Sequence, residues 1–336
     1  MNKMSFMGMV AMVSFLIFSF LSPVEATAQE IYPSKDITLI CNSAPGGGFD
    51  IFARMVAPNM TKYLKELSPG AKGGDVKVKN MAGASGLQAY EYLFRDAKPD
   101  GYTFGDFNPG ALYAMLYGSQ KIAFDPTEYS WLFSITRTVR VFISNKKGIA
   151  TWEELIAKSK KGPITFLVPQ FGTTAHLDCI YAVEISKIPA KIVATEGTAD
   201  CLNAVIRGDA DAALISYDSV ATVCEAKEVN TLVSFTENKV LPWVPTIVEK
   251  GFPDCVKYIK RVNRMFMGPP KLDPERERLL TAAGKKLVAD PGWLEFCKKR
   301  KADVEQPIFG KELKGEIKSS IEDLQKWIPV FKKYGL

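Results

Sequence analysis

Histidine is nearly absent: His176 is the only one in 336 residues. That weakens any scheme built on a serine–histidine or cysteine–histidine pair, or on a metal held by imidazoles. No C-x-x-C occurs, the cysteine spacing matches no zinc site, and H-E-x-x-H, G-x-S-x-G and the calcium-loop pattern are missing. No metal, cofactor or catalytic residue is therefore expected, and the chain does not read as an enzyme. Charge is not concentrated either. The formal net charge is +6, and basic residues are scattered, with short runs such as Lys298-Lys299-Arg300-Lys301 and Lys332-Lys333. Without a zinc-finger or RNA-binding motif these read as solvated faces, so no nucleic-acid partner is expected.

Long apolar runs are scarce as well. The one near the start, Val10 to Leu21, follows Lys3 and precedes Ala26-Thr27-Ala28. A short apolar core followed by an A-x-A pattern is an export signal rather than a membrane anchor. Cleavage is expected after Ala28, so residues 1–28 are the signal and Gln29 starts the mature chain. No cysteine stands at that point to carry a lipid. The product is expected to be a periplasmic protein long enough for two domains. Its six cysteines, Cys41, Cys179, Cys201, Cys224, Cys255 and Cys297, are free to pair in that compartment, in a connectivity the sequence leaves open.

The chain is organised around Ala44-Pro45-Gly46-Gly47-Gly48-Phe49-Asp50. Ile37 to Cys41 before it reads as a buried strand. Phe52, Val56, Met60 and Leu64 after it recur at helical spacing. The unit is strand, glycine loop, helix. Glycines let a ligand approach the backbone, and the first N–H groups of the helix lack internal partners. With the helix dipole this makes an anion site. The loop lacks the Gly-Lys-Ser/Thr of phosphate loops and the third glycine of dinucleotide sites, so a carboxylate fits better than a phosphate. The alternative is a tight turn with no ligand.

The same device recurs. Val76 to Lys79 reads as a strand leading into Gly83-Ala84-Ser85-Gly86 and a helix from Leu87. Tyr102 to Phe107 is a third strand, ending at Asn108-Pro109-Gly110. Three strand ends thus deliver small or polar loops to one rim, where open α/β sheets bind ligands. Trp131 to Ser144 is apolar and β-prone and is taken as the crossing into a second domain. Thr151 to Glu154 is a capping box. Ile164 to Pro169 with Phe171-Gly172-Thr173-Thr174 echoes the opening unit, so two half-sites are expected to face each other across a cleft. Further strands end in Glu196-Gly197-Thr198 and in a loop Ser216-Tyr217-Asp218-Ser219. Pro242 and Pro245 mark the return crossing. Asp273-Pro274 and Asp290-Pro291 start helices. Leu313, Ile317, Ile321, Leu324, Ile328 and Phe331 make an amphipathic last helix, expected on the first domain, with Pro329 bending its final turn.

Several rim residues carry two readings. Asp50 either caps backbone donors or meets a ligand amine. Glu196 and Asp218 are rim carboxylates able to act as acid and base in an enzyme. Phe49, Phe107, Phe171 and Tyr217 line a small-molecule site or pack in the core. His176 and Cys179 share a helix face, as a packing pair or, less in keeping with the rest, as a thiol nucleophile.

Taken together, Tyr32-Pro33, Ala44 to Asp50 with Ala53-Arg54, Asn80 with Gly83 and Gly86, and Pro99-Asp100-Gly101-Tyr102-Thr103 resemble the Bug/TctC family. These are the periplasmic solute-binding proteins of tripartite tricarboxylate transporters. The likeness continues through Gly172 to Leu177, Gly208 to Asp211 and Val244 to Pro253, and ends at Trp327. The resemblance implies an α/β, two-domain periplasmic-binding-protein fold of type II-like plan. Domain 1 would be 29–135 with 247–336 and domain 2 would be 136–246, joined by two crossings. It implies a small carboxylate ligand, clamped between the lobes and delivered to membrane permease subunits by a monomer. Carried over, the ligand contacts are Pro45, Gly46, Gly47, Gly48, Phe49, Asp50, Gly83, Ala84, Ser85, Gly172, Thr173, Thr174, Glu196, Gly197 and Thr198. The rim reading adds Asn108, Phe171, Tyr217 and Asp218. Thr195-Glu196-Gly197 stands where the family has Tyr-Lys-Gly, and Met81 to Ser85 is bulkier than the usual Pro-Gly-Ala-Gly-Gly. Two alternatives remain: a ligand-sensing subunit for a membrane sensor, and an exported hydrolase using His176 or the rim carboxylates.

Overall fold

The opening strand falls where its apolar run places it: β1 (Ile37–Cys41) is buried along its length except for Thr38. The computed structural model describes residues 31–46, 48–117, 124–259, 262–300, 302 and 307–336. Gly47 and the expected export signal with its cleavage point lie outside the described residues. Tyr32–Leu336 forms one unit.

That unit holds two five-stranded sheets. In the first, β1 pairs in parallel with β2 (Val76–Asn80) and β3 (Thr103–Phe107). An antiparallel strand, β10 (Val262–Gly268), then joins β3 to β4 (Ser130–Thr138). The second has the same plan. There β6 (Ile164–Pro169) pairs in parallel with β7 (Ala190–Thr195) and β8 (Ala212–Ser216). β5 (Arg140–Asn145) runs antiparallel between β8 and β9 (Val229–Ser234). The apolar stretch Trp131 to Ser144 is thus two strands, one in each sheet, with Val139 alone between them. The chain returns after Thr246, which bridges to Ser234 in the second sheet.

Each parallel strand feeds a helix at its carboxyl end. α1 (Gly48–Leu67) follows β1, and a 3-10 turn (Gly83–Gly86) with α2 (Leu87–Arg95) follows β2. α3 (Ala111–Tyr117) follows β3. In the second half α4 (Trp152–Ser159) precedes β6, and α5 (Thr174–Ile185), α6 (Thr198–Arg207) and α7 (Tyr217–Glu225) follow β6, β7 and β8. Ser216 to Ser219 was expected as a loop. Instead Ser216 adopts an extended backbone and Tyr217 begins α7 directly.

Local signals hold where the partners are local. Thr151 Oγ1 accepts the Glu154 N–H at 3.2 Å, while Glu154 reaches back to the Ala150 N–H at 2.7 Å, one residue before the cap. After the short α8 (Asp254–Tyr258), Asp273 caps α9 (Pro274–Val288) through the N–H groups of Glu275 and Arg276. Asp290 caps α10 (Pro291–Lys299) through Trp293. It also takes Lys62 Nζ at 2.8 Å and the Tyr63 hydroxyl at 2.6 Å, tying α10 to α1.

The last helix, α11 (Gly310–Lys333), continues through Pro329 and contacts both β4 and α5. It therefore spans the two halves rather than packing on the first alone. Its Trp327 and Phe331 sit 4.7 and 5.4 Å from the Tyr181 ring of α5, and Phe331 also meets Tyr113 of α3. One apolar core accordingly runs from Tyr90 and Phe107 through Trp131 to Phe142, Phe166 and Phe331. A second core fills the space between the first sheet and α1, α9 and α10, and a third lies under α6 and α7. Each fully buried Phe or Leu there contributes about 1.5–3 kcal/mol.

Candidate functional site

The first glycine loop is built from within. Gly46 takes a positive φ of 81° and gives its N–H to Asp50 Oδ2 at 2.8 Å. Arg54 Nε reaches the same oxygen at 2.9 Å, and Asn80 Nδ2 reaches Oδ1 at 2.7 Å. Asn80 also holds the Ser43 carbonyl, and Ser43 Oγ accepts the Asp50 N–H. Burial alone would raise the Asp50 pKa, but the bonds from Arg54, Asn80 and Gly46 outweigh it and hold the carboxyl at about 2. Both carboxylate oxygens are occupied by the loop's own donors. Of the two readings of Asp50, this bonding matches the cap: the carboxylate braces the loop. The same bonding takes the Gly46 and Asp50 N–H groups, which leaves Gly48 and Phe49 as the first-turn donors of α1.

The second loop is pressed against the first. Gly86 has φ 91°, and a Cβ there would meet Asn42 at 3.1 Å; Ala84 also adopts a positive φ. Asn42 donates its N–H and its side-chain amide to Asp106 Oδ1 at 2.8 and 2.6 Å. Asp106, on β3, thus ties the ends of β1 and β3 together. It is buried, its Oδ2 finds no hydrogen-bond partner of ordinary length among the described residues, and burial pushes its pKa up to about 6.

On the second sheet, Gln170 and Gly172 take positive φ, and Gly172 donates its N–H to His176 Nδ1 at 3.2 Å. Burial lowers the His176 pKa to about 4, so the ring is neutral with Nδ1 as acceptor. His176 is therefore a loop brace, as Asp50 is, and the Gly172 N–H is not left for a ligand. Cys179 is fully buried and burial drives its thiol well upward, the opposite of what a nucleophile needs. Phe171 packs edge-on to His176 and is 62% exposed.

The two rims meet. The Thr174 hydroxyl, in the first turn of α5, stands 3.5 Å from Asn108 Oδ1 beyond β3. Next to it, a Cβ on Gly110 would lie 2.5 Å from the Thr174 nitrogen. The Thr173 side chain turns back to the carbonyls of Pro169 and Gln170, leaving the first-turn N–H groups of α5 uncapped by it. The Glu196–Thr198 loop stays open: Glu196 is exposed and nothing lies within 4 Å of a Cβ on Gly197. Tyr217 is not a cleft wall. Its hydroxyl donates to Glu225 at 3.1 Å, and its buried ring belongs to the third core and faces the exposed Trp243. Phe107 is likewise wholly core. Asp218, by contrast, does reach across to the first sheet.

Its partner is Arg264 on β10, a residue that sequence reasoning missed. Arg264 Nη2 lies 3.4 Å from Asp218 Oδ2, and Nη1 lies 3.5 Å from Thr136 Oγ1. The guanidinium sits 4.0 Å from the centre of the Phe52 ring and 5.5 Å from that of Phe49. Nη2 is 3.8 Å from where a Cβ on Gly48 would stand. Burial lowers its pKa from the ordinary arginine value, with Asp218 opposing the shift. A second buried pair is close by. Arg140 of β5 donates Nε to Asp178 Oδ2 at 2.8 Å and also bonds Ser216 Oγ. No motif flags either arginine. Arg264 closes the stretch Lys260-Arg261-Val262-Asn263-Arg264, where no motif or apolar pattern marks a strand.

All six cysteines are free and buried, so none of the pairings open to the sequence is made. Among the described residues, no group of three His, Cys, Asp or Glu is placed to hold a metal, and no helix is long and apolar enough to cross a membrane.

Comparison with known proteins matches residues 52–336 to the TctC model, described as the tripartite tricarboxylate transporter family receptor. A UPF0065 protein from the TAR-I ttuE-ttuC' intergenic region of Agrobacterium vitis is 30% identical over 290 residues, covering 84% of this chain and 80% of its own. Two solved structures share the fold. Rpa4515 of R. palustris with adipate has a TM-score of 0.70 at 21% identity, covering 90% of this chain and 98% of its own. MatC from Rhodopseudomonas palustris with bound malate has a TM-score of 0.68 at 20% identity, covering 89% and 99%.

Proposed function

The chain belongs to the TctC family, the receptors of tripartite tricarboxylate transporters, and we propose that it captures a small dicarboxylate outside the cytoplasm and delivers it to membrane permease subunits. The lobes would be 29–135 with 247–336, and 136–246. They would close as two rigid bodies about the paired crossings, a population shift driven by contacts to both. The mature protein would be a periplasmic monomer released by cleavage after Ala28.

One observation carries this reading. Asn108, in the loop after β3, and Thr174, in the first turn of α5, bring the strand-end rims of the two sheets to one place. The first turn of α5 supplies orphan N–H groups and helix-dipole charge to an anion, whereas the N–H groups of Gly110, Ala111 and Leu112 across from it are held by Asn108 and Pro109. Gly48 and Phe49 would hold one carboxylate, with Gly83, Ala84 and Ser85 alongside. Thr173, Thr174, Gly197 and Thr198 would complete the site from the second lobe. That structural relatives carry malate and adipate supports a dicarboxylate over a phosphate.

The test is thermal melting of the chain from Gln29 onward with malate, adipate and the corresponding diamides. A ligand that binds only the folded state raises the midpoint by mass action. A rise with either acid and none with its diamide is expected. A flat response to both acids, confirmed by calorimetric titration, would overturn the dicarboxylate reading.

A further inference from the structure

Two buried arginine–carboxylate pairs lie near the junction of the sheets, and they differ. Arg140 and Asp178 are each 5% exposed and meet at 2.8 Å, a tight structural pair. Arg264 and Asp218 are 12% and 8% exposed and meet at 3.4 Å, the outer edge of a hydrogen bond. Arg264 is fixed in place, stacked on Phe52 and flanked by Phe49. Its Nη2 borders the space opened by the missing side chain of Gly48, at the first turn of α1. An anion seated on that turn would meet backbone donors and a guanidinium edge together.

Asp218 comes to the same guanidinium from the other sheet, in the first turn of α7. It is a carboxylate standing where a ligand carboxylate would stand. We infer that Arg264 is the side-chain anchor for one carboxylate of the ligand, and that Asp218 is the internal carboxylate the ligand displaces. The exchange keeps the charge balance, since one carboxylate leaves the guanidinium as another arrives. The displaced Asp218 remains at a helix N-terminus, which favours an anion. Arg264 would then set the preference for an acid over its amide, while Asp218 would hold the affinity down. The inference rests on the dicarboxylate reading above.

The experiment is calorimetric titration of malate and adipate into the mature protein and three variants: Asp218→Asn, Arg264→Gln, and the two combined. The double variant removes both members of the Arg264–Asp218 pair, and a thermal melt of each variant checks that it is folded before titration. Asp218→Asn is expected to bind the acids several-fold tighter. Arg264→Gln and the double variant are expected to bind at least about tenfold weaker, the scale of one charge-assisted hydrogen bond. A double variant that binds like wild type, or an Asp218→Asn that binds no tighter, would overturn the inference while leaving the function intact. Wild-type protein that binds neither acid would overturn the dicarboxylate reading itself, and this inference with it.

Discussion

Asn108 follows a strand of one sheet and Thr174 a strand of the other, yet their side chains stand 3.5 Å apart, and the glycine two residues beyond Asn108 has no room for a side chain. A Cβ on Gly110 would lie 2.5 Å from the Thr174 nitrogen, well inside contact distance. Gly110→Ala is therefore expected to wedge the two rims apart. Affinity for malate or adipate should fall by at least about tenfold, because contacts to one lobe are lost. Small-angle scattering at saturating acid should show a larger radius of gyration than wild type. An unchanged radius and affinity would mean the rims do not need to touch.

Asp50 braces the first glycine loop and is expected to act on the ligand through it. Asp50→Ala removes the acceptor for the Gly46 N–H, Arg54 and Asn80 at once. Binding should weaken by at least about tenfold, and Asp50→Asn, which keeps one acceptor, should recover part of it. With its pKa held at about 2, the carboxylate contributes stability above about pH 4 that is lost as pH falls through about 2. Acid denaturation of the Asp50→Asn variant should lack that component.

Asp106 has the opposite sign. Its folded pKa, near 6, lies above the ordinary carboxylate value. Its contribution to stability is complete below about pH 4 and is lost as pH rises through 6. It faces Asn42, Cys41, Tyr90 and, more distantly, Arg264. Asp106→Asn keeps an acceptor for Asn42 and removes the buried charge. It should be more stable than wild type at pH 8, by about 1–3 kcal/mol. That gain should shrink at pH 5. Urea titrations at the two pH values measure it.

His176 titrates against Asp106 over the same range. Its folded pKa of about 4 lies below the ordinary value, so its stabilisation is complete above about pH 6.5 and is lost as pH falls through 4. His176→Leu leaves the Gly172 N–H without its acceptor. It should cost about 1–3 kcal/mol at pH 7 and flatten the stability loss between pH 6.5 and 4. Equal slopes for variant and wild type would show that the ring is not the neutral acceptor at Gly172.

What could be read from the sequence is what local contacts decide. β1 spans Ile37–Cys41 as its apolar run implies, and the Asp273 and Asp290 caps hold their own first turns. The loops after β1, β2, β3 and β6 were all legible, since glycine and small residues at strand ends have a direct backbone meaning. β10 was not. Its partners β3 and β4 are remote in the chain, and Asn263 and Arg264 break its apolar pattern, so pairing rather than propensity makes it a strand. Arg264 was lost with it. The direction of Tyr217 was lost for a related reason: its helix starts without a break after β8, which turns the ring toward Trp243. The last helix showed its apolar face plainly, but one face cannot reveal that it covers two sheets.

The position of β10 also fixes an order of assembly. The strands of the second sheet are contiguous in the chain, from Arg140 to Ser234, and can pair as soon as they are made. The first sheet cannot, because the strand between β3 and β4 is synthesised only after the second sheet is complete. Until it arrives, β3 and β4 each present an open edge, the feature most prone to pairing with the wrong chain. The half that is made first is thus the half that finishes last. A slow or damaged second sheet would betray itself as aggregation through the first.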